Sequence, residues 1–367
     1  MTEAGTIDQP GLFDLREYSS PDRVDGSVVL TEPTRGDPLP REGDSGAVPP
    51  TSGADAPSSA ATPEDNERWE ALVADLEATG RYRVLRRFDE RLDDPPAPVV
   101  GSGVRKGVYL DVETTGLMAH DRIIELAMLV FHYDETGRVV HVTEAFDRLE
   151  DPGRTIPADV VSLTGITNDM VRGQRIVDEE VARLLDGVDL VVAHNAGFDR
   201  QFAEARFPFF SEVDWACSMA DVDWSAGGLR SRRLENLALA KGYFYQAHRA
   251  IYDCHVALGL LRMPIRESGP PAFADLLQRS AAVWVRLWAE GSPFEKKDDL
   301  KARGYRWSGQ AKAWWKDLPA SQHEAEVEWL ADNVYPRRRA LPFLTITPRN
   351  RYSRRLPEAP PATAERL

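Results

Sequence analysis

Between residues 107 and 263, continuous or alternating apolar runs are separated by turn residues and by stretches with apolar positions three and four apart. The first pattern is typical of strands and the second of helices. Strands are predicted at residues 108–116, 123–133, 139–146 and 189–194, and helices at 177–185, from 197 to before Pro208, at 234–239 and at 252–261. A strand hairpin followed by strands that alternate with helices predicts an α/β domain with a mixed sheet.

A second, smaller pattern covers residues 272–335 and contains six of the nine tryptophans. It predicts a strand at 283–288, a helix at 296–303, a hairpin from 305–307 and 313–316, and a helix at 323–333, which together make a small α+β module. The tryptophans are interpreted mainly as its core. The alternative is a surface in which aromatic rings interleaved with Lys and Arg stack against single-stranded nucleic acid.

The remaining segments have compositions of their own. Residues 1–64 are rich in Pro, Gly, Ser and acidic residues, which is typical of disorder. Residues 65–106 predict a helix at 65–79 that Gly80 stops, an arginine-rich strand at 81–88 and a Pro/Gly-rich linker. After Pro336, residues 336–367 hold eight arginines against two glutamates, and they predict a flexible basic arm that holds phosphate, or else a merely solubilising tail.

The distribution of charge and the cysteine content limit the classes of protein to which this sequence can belong. The formal net charge is -14, but residues 1–66 hold 13 acidic and 4 basic side chains, so the sum does not exclude a nucleic-acid partner. The two cysteines have no zinc-site or disulfide spacing, which favours a reducing compartment. Without a signal peptide or a long uncharged apolar run, the expectation is a soluble cytoplasmic protein with no membrane partner.

The first strand of the α/β domain carries two carboxylates on one face, because Asp111 and Glu113 are two positions apart. Two like charges at one place indicate a divalent metal site or an acid/base pair, whereas a lone D-x-E is more often a solvated edge. Thr114, Thr115 and Gly116 follow, and small residues at a strand end let the backbone approach a ligand closely.

Two later segments add to this pair. Asp199 ends the motif H-N-A-G-F-D just beyond the strand at 189–194, and His248 precedes Asp253 by five residues at the start of the last helix. With D-V-E-T-T-G at residues 111–116, these motifs resemble, in order and spacing, the DEDDh branch of the DEDD exonuclease superfamily. That branch includes the epsilon subunit of DNA polymerase III, ribonuclease T and oligoribonuclease. The resemblance covers residues 107–264.

The resemblance implies a ribonuclease-H-like fold with a mixed five-stranded sheet and 3'-to-5' hydrolysis of single-stranded or 3'-ended nucleic acid. Two Mg²⁺ or Mn²⁺ ions would be held by oxygen ligands, and His248, on the loop entering the last helix, would accept a proton from the attacking water. The residues implied as metal ligands are Asp111, Glu113, Asp199 and Asp253. Those implied at the substrate are Thr114, Thr115, Gly116, Leu117, Asn195 and Phe198. For Phe198 a core role is equally open, and His194 is expected to be structural.

One island in the N-terminal tail resembles the peptides that bind the bacterial sliding clamp. It lies within residues 8–15 and has Gln9 to fix register and Leu12 and Phe13 as pocket anchors. A chance match in so short a pattern is the alternative.

The main hypothesis is therefore a nucleoid-associated exonuclease that acts on DNA in replication, repair or proofreading, with a DNA polymerase as a possible partner. The alternatives are an RNA exonuclease and a non-catalytic accessory subunit of a polymerase.

Overall fold

The computed structural model describes residues 63–88, 103–362 and 364–366. The described residues divide into two compact units, one formed by residues 63–84 and the other by residues 85–88, 103–362 and 364–366. In the first unit, helix α1 spans Pro63–Ala78 and ends before Gly80, whose φ of 68° is left-handed backbone. The predicted helix and its stop are confirmed. No helix in the described ranges is long and apolar enough to cross a membrane.

The described part of the second unit contains strands and helices in an alternating order. Up to residue 264 they are β1 (Arg86–Arg87), β2 (Arg105–Thr114), β3 (Ile123–Tyr133), β4 (Val139–Leu149), α2 (Ala158–Thr164), α3 (Asn168–Val171), α4 (Asp178–Leu185), β5 (Leu190–Ala193), α5 (Ala196–Arg206), β6 (Trp215–Cys217), α6 (Leu234–Ala240), β7 (Tyr243–Phe244) and α7 (Ala250–Arg262). Short 3-10 helices span Pro208–Glu212 and Trp224–Gly227. β1 pairs with β7, so the strand predicted over residues 81–88 is reduced to two residues.

The central sheet has five strands in the order β4, β3, β2, β5, β6. The pairs β4–β3 and β3–β2 are antiparallel, whereas β2–β5 and β5–β6 are parallel. One face packs against α6, α7 and α8 (Ala272–Ser280) through a core that includes Tyr109 and Phe131. The other packs against α4 and α5 through Leu110 and Phe202. The predicted α/β class with a mixed five-stranded sheet is confirmed, with β2 at its centre.

The fifth strand, β6, has no counterpart among the strands predicted from the sequence pattern. It is only three residues long and all three are buried. A run this short shows no periodicity, so tertiary pairing with β5 rather than local pattern defines it.

The C-terminal part is an α+β module, as predicted. It contains β8 (Trp284–Ala289), α9 (Lys297–Ala302), β9 (Arg306–Ser308), β10 (Ala313–Pro319), α10 (His323–Asn333), β11 (Pro342–Ile346) and β12 (Glu365–Arg366), with 3-10 helices at Phe294–Lys296 and Ala320–Gln322. The strands form an antiparallel sheet in the order β12, β11, β8, β10, β9. Trp288 and Trp314 are buried, whereas Trp307 is 54% exposed. The prediction that the tryptophans lie mainly in the core is therefore confirmed for Trp288 and Trp314, but not for Trp307.

The structure corrects the prediction of a flexible basic arm after Pro336. β11 pairs with β8 inside the module sheet, and its Phe343 and Ile346 are buried. Beyond it, Arg351 is only 1% exposed and Tyr352 belongs to the core beneath the central sheet. The arginine-rich composition suggested solvation, but apolar residues at alternating positions and buried ion pairs order the segment. The arginines at 337–339 remain exposed.

Candidate active site

Three of the predicted ligands come together on the α7 face of the central sheet. Asp111 and Glu113 point to that face because they have the same parity along β2 as Tyr109, whose side chain packs into the core beside α7. Asp253 lies in the first turn of α7. One carboxylate oxygen from each of the three residues lies within 4.8 Å of the others. Side chains separated by about 140 positions therefore offer their oxygens to one point.

The fourth predicted ligand, Asp199, comes from α5. This helix begins directly after β5, and Asn195 between them takes left-handed backbone with φ 64°. Oδ1 of Asp199 accepts a hydrogen bond from the Val112 amide at 3.2 Å. Its Oδ2 is buried and has no hydrogen-bond partner among the described residues. An unpaired buried carboxylate oxygen is costly, so this atom fits a cation ligand.

The charges of these four side chains are poorly compensated. Burial, followed by the negative charges of Asp199 and Asp253, raises the pKa of Asp111 well above its usual value. Burial and then Asp253 raise the pKa of Glu113 to about 8. Burial raises the pKa of Asp253 to about 7. The pKa values are raised because no positive charge from the described residues lies among the carboxylates to stabilise their ionised forms. A divalent cation that prefers oxygen ligands would supply this positive charge. The residues therefore fit Mg²⁺ or Mn²⁺.

His248 lies on the loop between β7 and α7, two residues before the helix begins. Its φ of 65° is left-handed backbone, which is uncommon for a residue other than glycine and must be held by its surroundings. The backbone amide of Arg249 donates to Oδ2 of Asp253 at 3.2 Å, and the His248 backbone also bonds this carboxylate. The loop that carries the imidazole is thus fastened to one of the ligands.

Glu125 holds the same loop from the opposite strand. It faces Glu113 across the β2–β3 pair and is fully buried. The Arg249 guanidinium donates to its Oε1 through Nη2 at 2.7 Å and Nε at 2.9 Å, and the Ala250 amide donates to its Oε2 at 2.9 Å. Nothing in the local sequence pattern identified Arg249 as the partner of Glu125.

Removal of this ion pair has a predictable cost. Arg249→Ala would leave the Glu125 carboxylate buried with one amide partner, and an unpaired buried charge costs about 3–5 kcal/mol. We expect the melting temperature to fall by roughly 6 °C or more, measured by thermal unfolding. Arg148→Ala is the control, because its contact to Glu180 is long, 3.9 Å, and half-exposed. Equal losses in both variants would contradict the anchoring role of Arg249.

Tyr245 is a further site residue that sequence reasoning missed. Its hydroxyl donates to Oδ1 of Asp253 at 2.9 Å. Burial and the neighbouring Asp253 raise the pKa of this hydroxyl, so it stays a donor. With Oδ2 bonded by the Arg249 amide, both oxygens of Asp253 are oriented by neighbours.

The residues after Glu113 form a tightly bonded loop. Thr114 Oγ1 donates to the Gly116 carbonyl at 2.6 Å, and Thr115 Oγ1 donates to Asp121 Oδ1 at 3.0 Å. A Cβ at Gly116 would lie 2.6 Å from Asp121 Oδ2, so only glycine fits there. Leu117 follows and is 48% exposed. The loop therefore holds two neighbouring apolar side chains, Leu117 and Met118, out into solvent.

The H-N-A-G-F-D segment divides between the site and the core. Phe198 is half-buried and packs against Phe202, with ring centroids 5.0 Å apart. His194 is buried, and its Nε2 donates to the Arg232 carbonyl at 2.8 Å while Nδ1 contacts Ser218 Oγ at 2.9 Å. Burial lowers the pKa of His194 to about 4, so it is neutral and structural, as expected.

Comparisons with known proteins agree with this site. A family model described as exonuclease matches residues 108–261. Subunit epsilon of DNA polymerase III from Treponema pallidum is 37% identical over 161 residues, which cover 41% of this chain and 72% of that protein. A PolC-type DNA polymerase III from Listeria monocytogenes is 43% identical over 166 residues, which cover 43% of this chain and 11% of the polymerase. The 3'-5' exonuclease DinG of Bacillus subtilis is 42% identical over 102 residues, which cover 26% of this chain and 10% of DinG.

The extent of these matches differs. This chain spans about a tenth of the length of the PolC-type polymerases, but more than two thirds of subunit epsilon. A solved structure of exonuclease X in complex with 5' overhanging duplex DNA matches 46% of this chain and 98% of that chain at 26% identity, with a TM-score of 0.34, which is too low to support a conclusion about the fold. On the epsilon match and the matching exonuclease model, this chain belongs to the epsilon-subunit-like exonuclease family that its DEDDh motifs resemble.

Proposed function

We propose that this protein is a metal-dependent 3'-to-5' exonuclease that hydrolyses phosphodiester bonds of DNA and releases nucleoside monophosphates in replication, repair or proofreading. The observation that carries the proposal is the meeting of Asp111, Glu113 and Asp253 within 4.8 Å, beside the unpartnered oxygen of Asp199. A scaffold has no use for four clustered carboxylates that raise one another's pKa, whereas a phosphodiesterase has. The relative DinG is named as a 3'-5' exonuclease, which supports the same chemistry.

Each side chain then has a defined task. The four carboxylates would hold two Mg²⁺ or Mn²⁺ ions, which would supply positive charge at the attacking and leaving oxygens. His248 accepts the proton of the attacking water, a role that a positioned imidazole nitrogen can perform. Tyr245 and the Arg249 amide fix the orientation of the Asp253 carboxylate, and the ion pair of Arg249 with Glu125 fixes the loop that carries His248.

The loop after β2 receives the 3'-terminal nucleotide. Its backbone between Thr114 and Gly116 lies next to Glu113, so a bound terminal sugar would reach the carboxylates directly. The exposed side chain of Leu117 is placed to pack against the terminal base. Asn195 and Phe198 precede Asp199 at the start of α5, and we propose that they line the substrate channel beside it.

The test is digestion of single-stranded DNA and RNA of equal sequence, labelled at the 3' or the 5' end, with Mg²⁺, Mn²⁺ or EDTA. Early loss of the 3' label and stepwise shortening of the 5'-labelled strand, both abolished by EDTA, are expected. The faster polymer identifies the substrate, and faster digestion of RNA would replace DNA with RNA in the proposal. No metal-dependent product from either polymer would refute the proposal and favour a non-catalytic subunit.

His248→Ala is expected to lower kcat by about 10²–10⁴-fold, since that is the usual contribution of a general base. Binding of Mn²⁺ should change little, because the four carboxylates remain. The rate is followed by single-turnover digestion and the metal by titration calorimetry. His141→Ala, at the opposite end of the β3–β4 pair, is the control and should leave kcat unchanged. Full activity of His248→Ala would exclude the histidine as the base.

The N-terminal peptide is proposed to tether the enzyme to the bacterial sliding clamp and so to a DNA polymerase. Gln9, Leu12 and Phe13 lie outside the described residues, and the proposal is supported by their sequence alone. Deletion of residues 8–15 is expected to abolish clamp binding in surface plasmon resonance while leaving digestion of a short free oligonucleotide unchanged. Unchanged clamp affinity would remove the tether.

A further inference from the structure

Arg200 follows Asp199 on α5 and is completely buried. Successive helical residues point about 100° apart, so Asp199 faces the carboxylate site while Arg200 faces away from it. The Arg200 guanidinium donates four hydrogen bonds, one from Nε to Glu204 Oε1 at 2.7 Å and three to backbone carbonyls. Those carbonyls belong to Pro348, at 3.3 Å, and to Arg349 and Arg351, both at 2.6 Å.

These carbonyls lie in one segment, residues 347–356, which we name the C-terminal clasp. They are about 150 positions away from Arg200 and far beyond the exonuclease family match, which ends at residue 261. A planar guanidinium with five donors is well suited to hold three carbonyls at once. Helix α5 is therefore fixed on its outer side by a segment that does not belong to the family domain.

The clasp is itself anchored to the domain. The Trp215 amide of β6 donates to the Pro348 carbonyl at 3.0 Å. The Tyr352 hydroxyl donates to Asp221 Oδ2 at 2.8 Å, and Arg351 donates from Nη2 to the Ser280 carbonyl at 2.6 Å. These contacts involve residues from β6 to the end of α8, so the clasp cannot shift without breaking several buried bonds.

Glu204, one turn further along α5, also bonds the clasp. It accepts hydrogen bonds from Arg200, from Ser353 Oγ at 2.7 Å and from Arg355 Nη2 at 3.2 Å. Burial alone would raise the pKa of Glu204, but these bonds and the charge of Arg200 bring it below its usual value. The helix is thus held to the clasp through two side chains, Arg200 next to Asp199 and Glu204 one turn later.

We propose that Arg200 is a positioning residue, and that the C-terminal clasp holds Asp199 in place for the metal site through it. The inference rests on the proposed function, because it concerns the same ligand. Residues that orient metal ligands from behind change metal affinity by about 10–100-fold when they are replaced. The C-terminal module is then a working part of the nuclease and not an independent appendage.

The experiment uses the full-length chain in three variants, Arg200→Met, Arg200→Lys and Arg206→Met. Arg206 is the matched control, since it lies on the same helix and donates to Glu150 at 2.8 Å and Asp178 at 2.9 Å, away from the clasp. We measure the Kd for Mn²⁺ by electron paramagnetic resonance, kcat on labelled oligonucleotide, and hydrogen exchange at the Val112 amide, which bonds Asp199. Thermal unfolding of each variant checks that it is folded.

Arg200→Met is expected to raise the Kd for Mn²⁺ by about 10-fold or more, to lower kcat, and to speed exchange at Val112. Arg200→Lys keeps the charge and part of the hydrogen bonding, so it should recover part of the affinity. Arg206→Met should lose stability only. Equal Mn²⁺ affinity in Arg200→Met and Arg206→Met, with an active wild type, overturns the inference. A wild type that neither binds Mn²⁺ nor digests nucleic acid overturns the proposed function instead.

Discussion

Asp111→Asn is expected to lower the rate of digestion by about 10³-fold or more while making the metal-free protein more stable. The loss of rate follows because a bound cation contributes several kcal/mol to the transition state, and each 1.4 kcal/mol is about tenfold in rate. The asparagine oxygen lacks the charge that the cation needs. Single-turnover digestion at saturating Mn²⁺ measures the effect.

The gain in stability comes from the same side chain. Burial and neighbouring carboxylates raise the pKa of Asp111 well above its usual value, which means that its ionised form opposes folding. A neutral amide removes this cost, so in EDTA at pH 7.5 we expect more than about 1 kcal/mol of added stability. Catalytic groups are often held in such unfavourable surroundings.

Asp317→Asn is the control for this pair of effects. Asp317 is equally buried, but it accepts from the Arg286 guanidinium at 2.7 Å and 2.8 Å in the C-terminal module. Its replacement should destabilise the protein and leave the rate unchanged, the reverse of Asp111→Asn. A stabilised Asp317→Asn, or an Asp111→Asn variant that is less stable than wild type in EDTA, would contradict the electrostatic account.

The second large effect is a dependence of stability on pH that a metal ion should remove. The folded-state pKa is about 8 for Glu113 and about 7 for Asp253, compared with ordinary values of 4.5 and 3.8. At pH values between the ordinary and the folded-state pKa of these two groups, the folded protein binds more protons than the unfolded chain. The free energy of unfolding therefore falls as pH rises. The stabilisation is complete below about pH 4 and is lost as pH passes through 7 to 8.

Thermal unfolding between pH 5.5 and pH 8.5 tests this dependence. In EDTA we expect the melting temperature to fall by several degrees across this range, since each kcal/mol corresponds to about 2–4 °C. With Mn²⁺ the fall should largely vanish, because cation binding displaces the protons and becomes tighter as pH rises. A melting temperature that rises with pH in EDTA would show that the carboxylates are compensated by some other charge.

The strands, helices and proposed ligands that were predicted from the sequence all depend on patterns among residues close together in the chain. Period two along β2 placed Asp111 and Glu113 on one face, and the spacing of five positions from His248 to Asp253 placed the histidine before α7. In α10 the predicted limits agree with the observed His323–Asn333, because apolar positions at helical spacing set both. Each of these features is encoded within about ten consecutive residues.

The features that were not predicted depend on contacts between distant residues. Tyr245, and Arg249 as the partner of Glu125, have no local signal, because their roles exist only when α7 packs on β3. The clasp had the composition of a solvated arm, and only its carbonyls, not its side-chain pattern, bind Arg200. Backbone acceptors are the same in every sequence, so this kind of recognition leaves no motif.

The distance along the chain between Arg200 and the clasp also has a consequence for synthesis. A ribosome adds about 5–20 residues each second, so roughly ten to thirty seconds separate the translation of Arg200 from that of its carbonyl partners. During that interval a buried guanidinium has no acceptors except Glu204. A nascent chain that has emerged only as far as α7 would therefore carry all the proposed catalytic side chains and still lack the clasp that we propose to support Asp199.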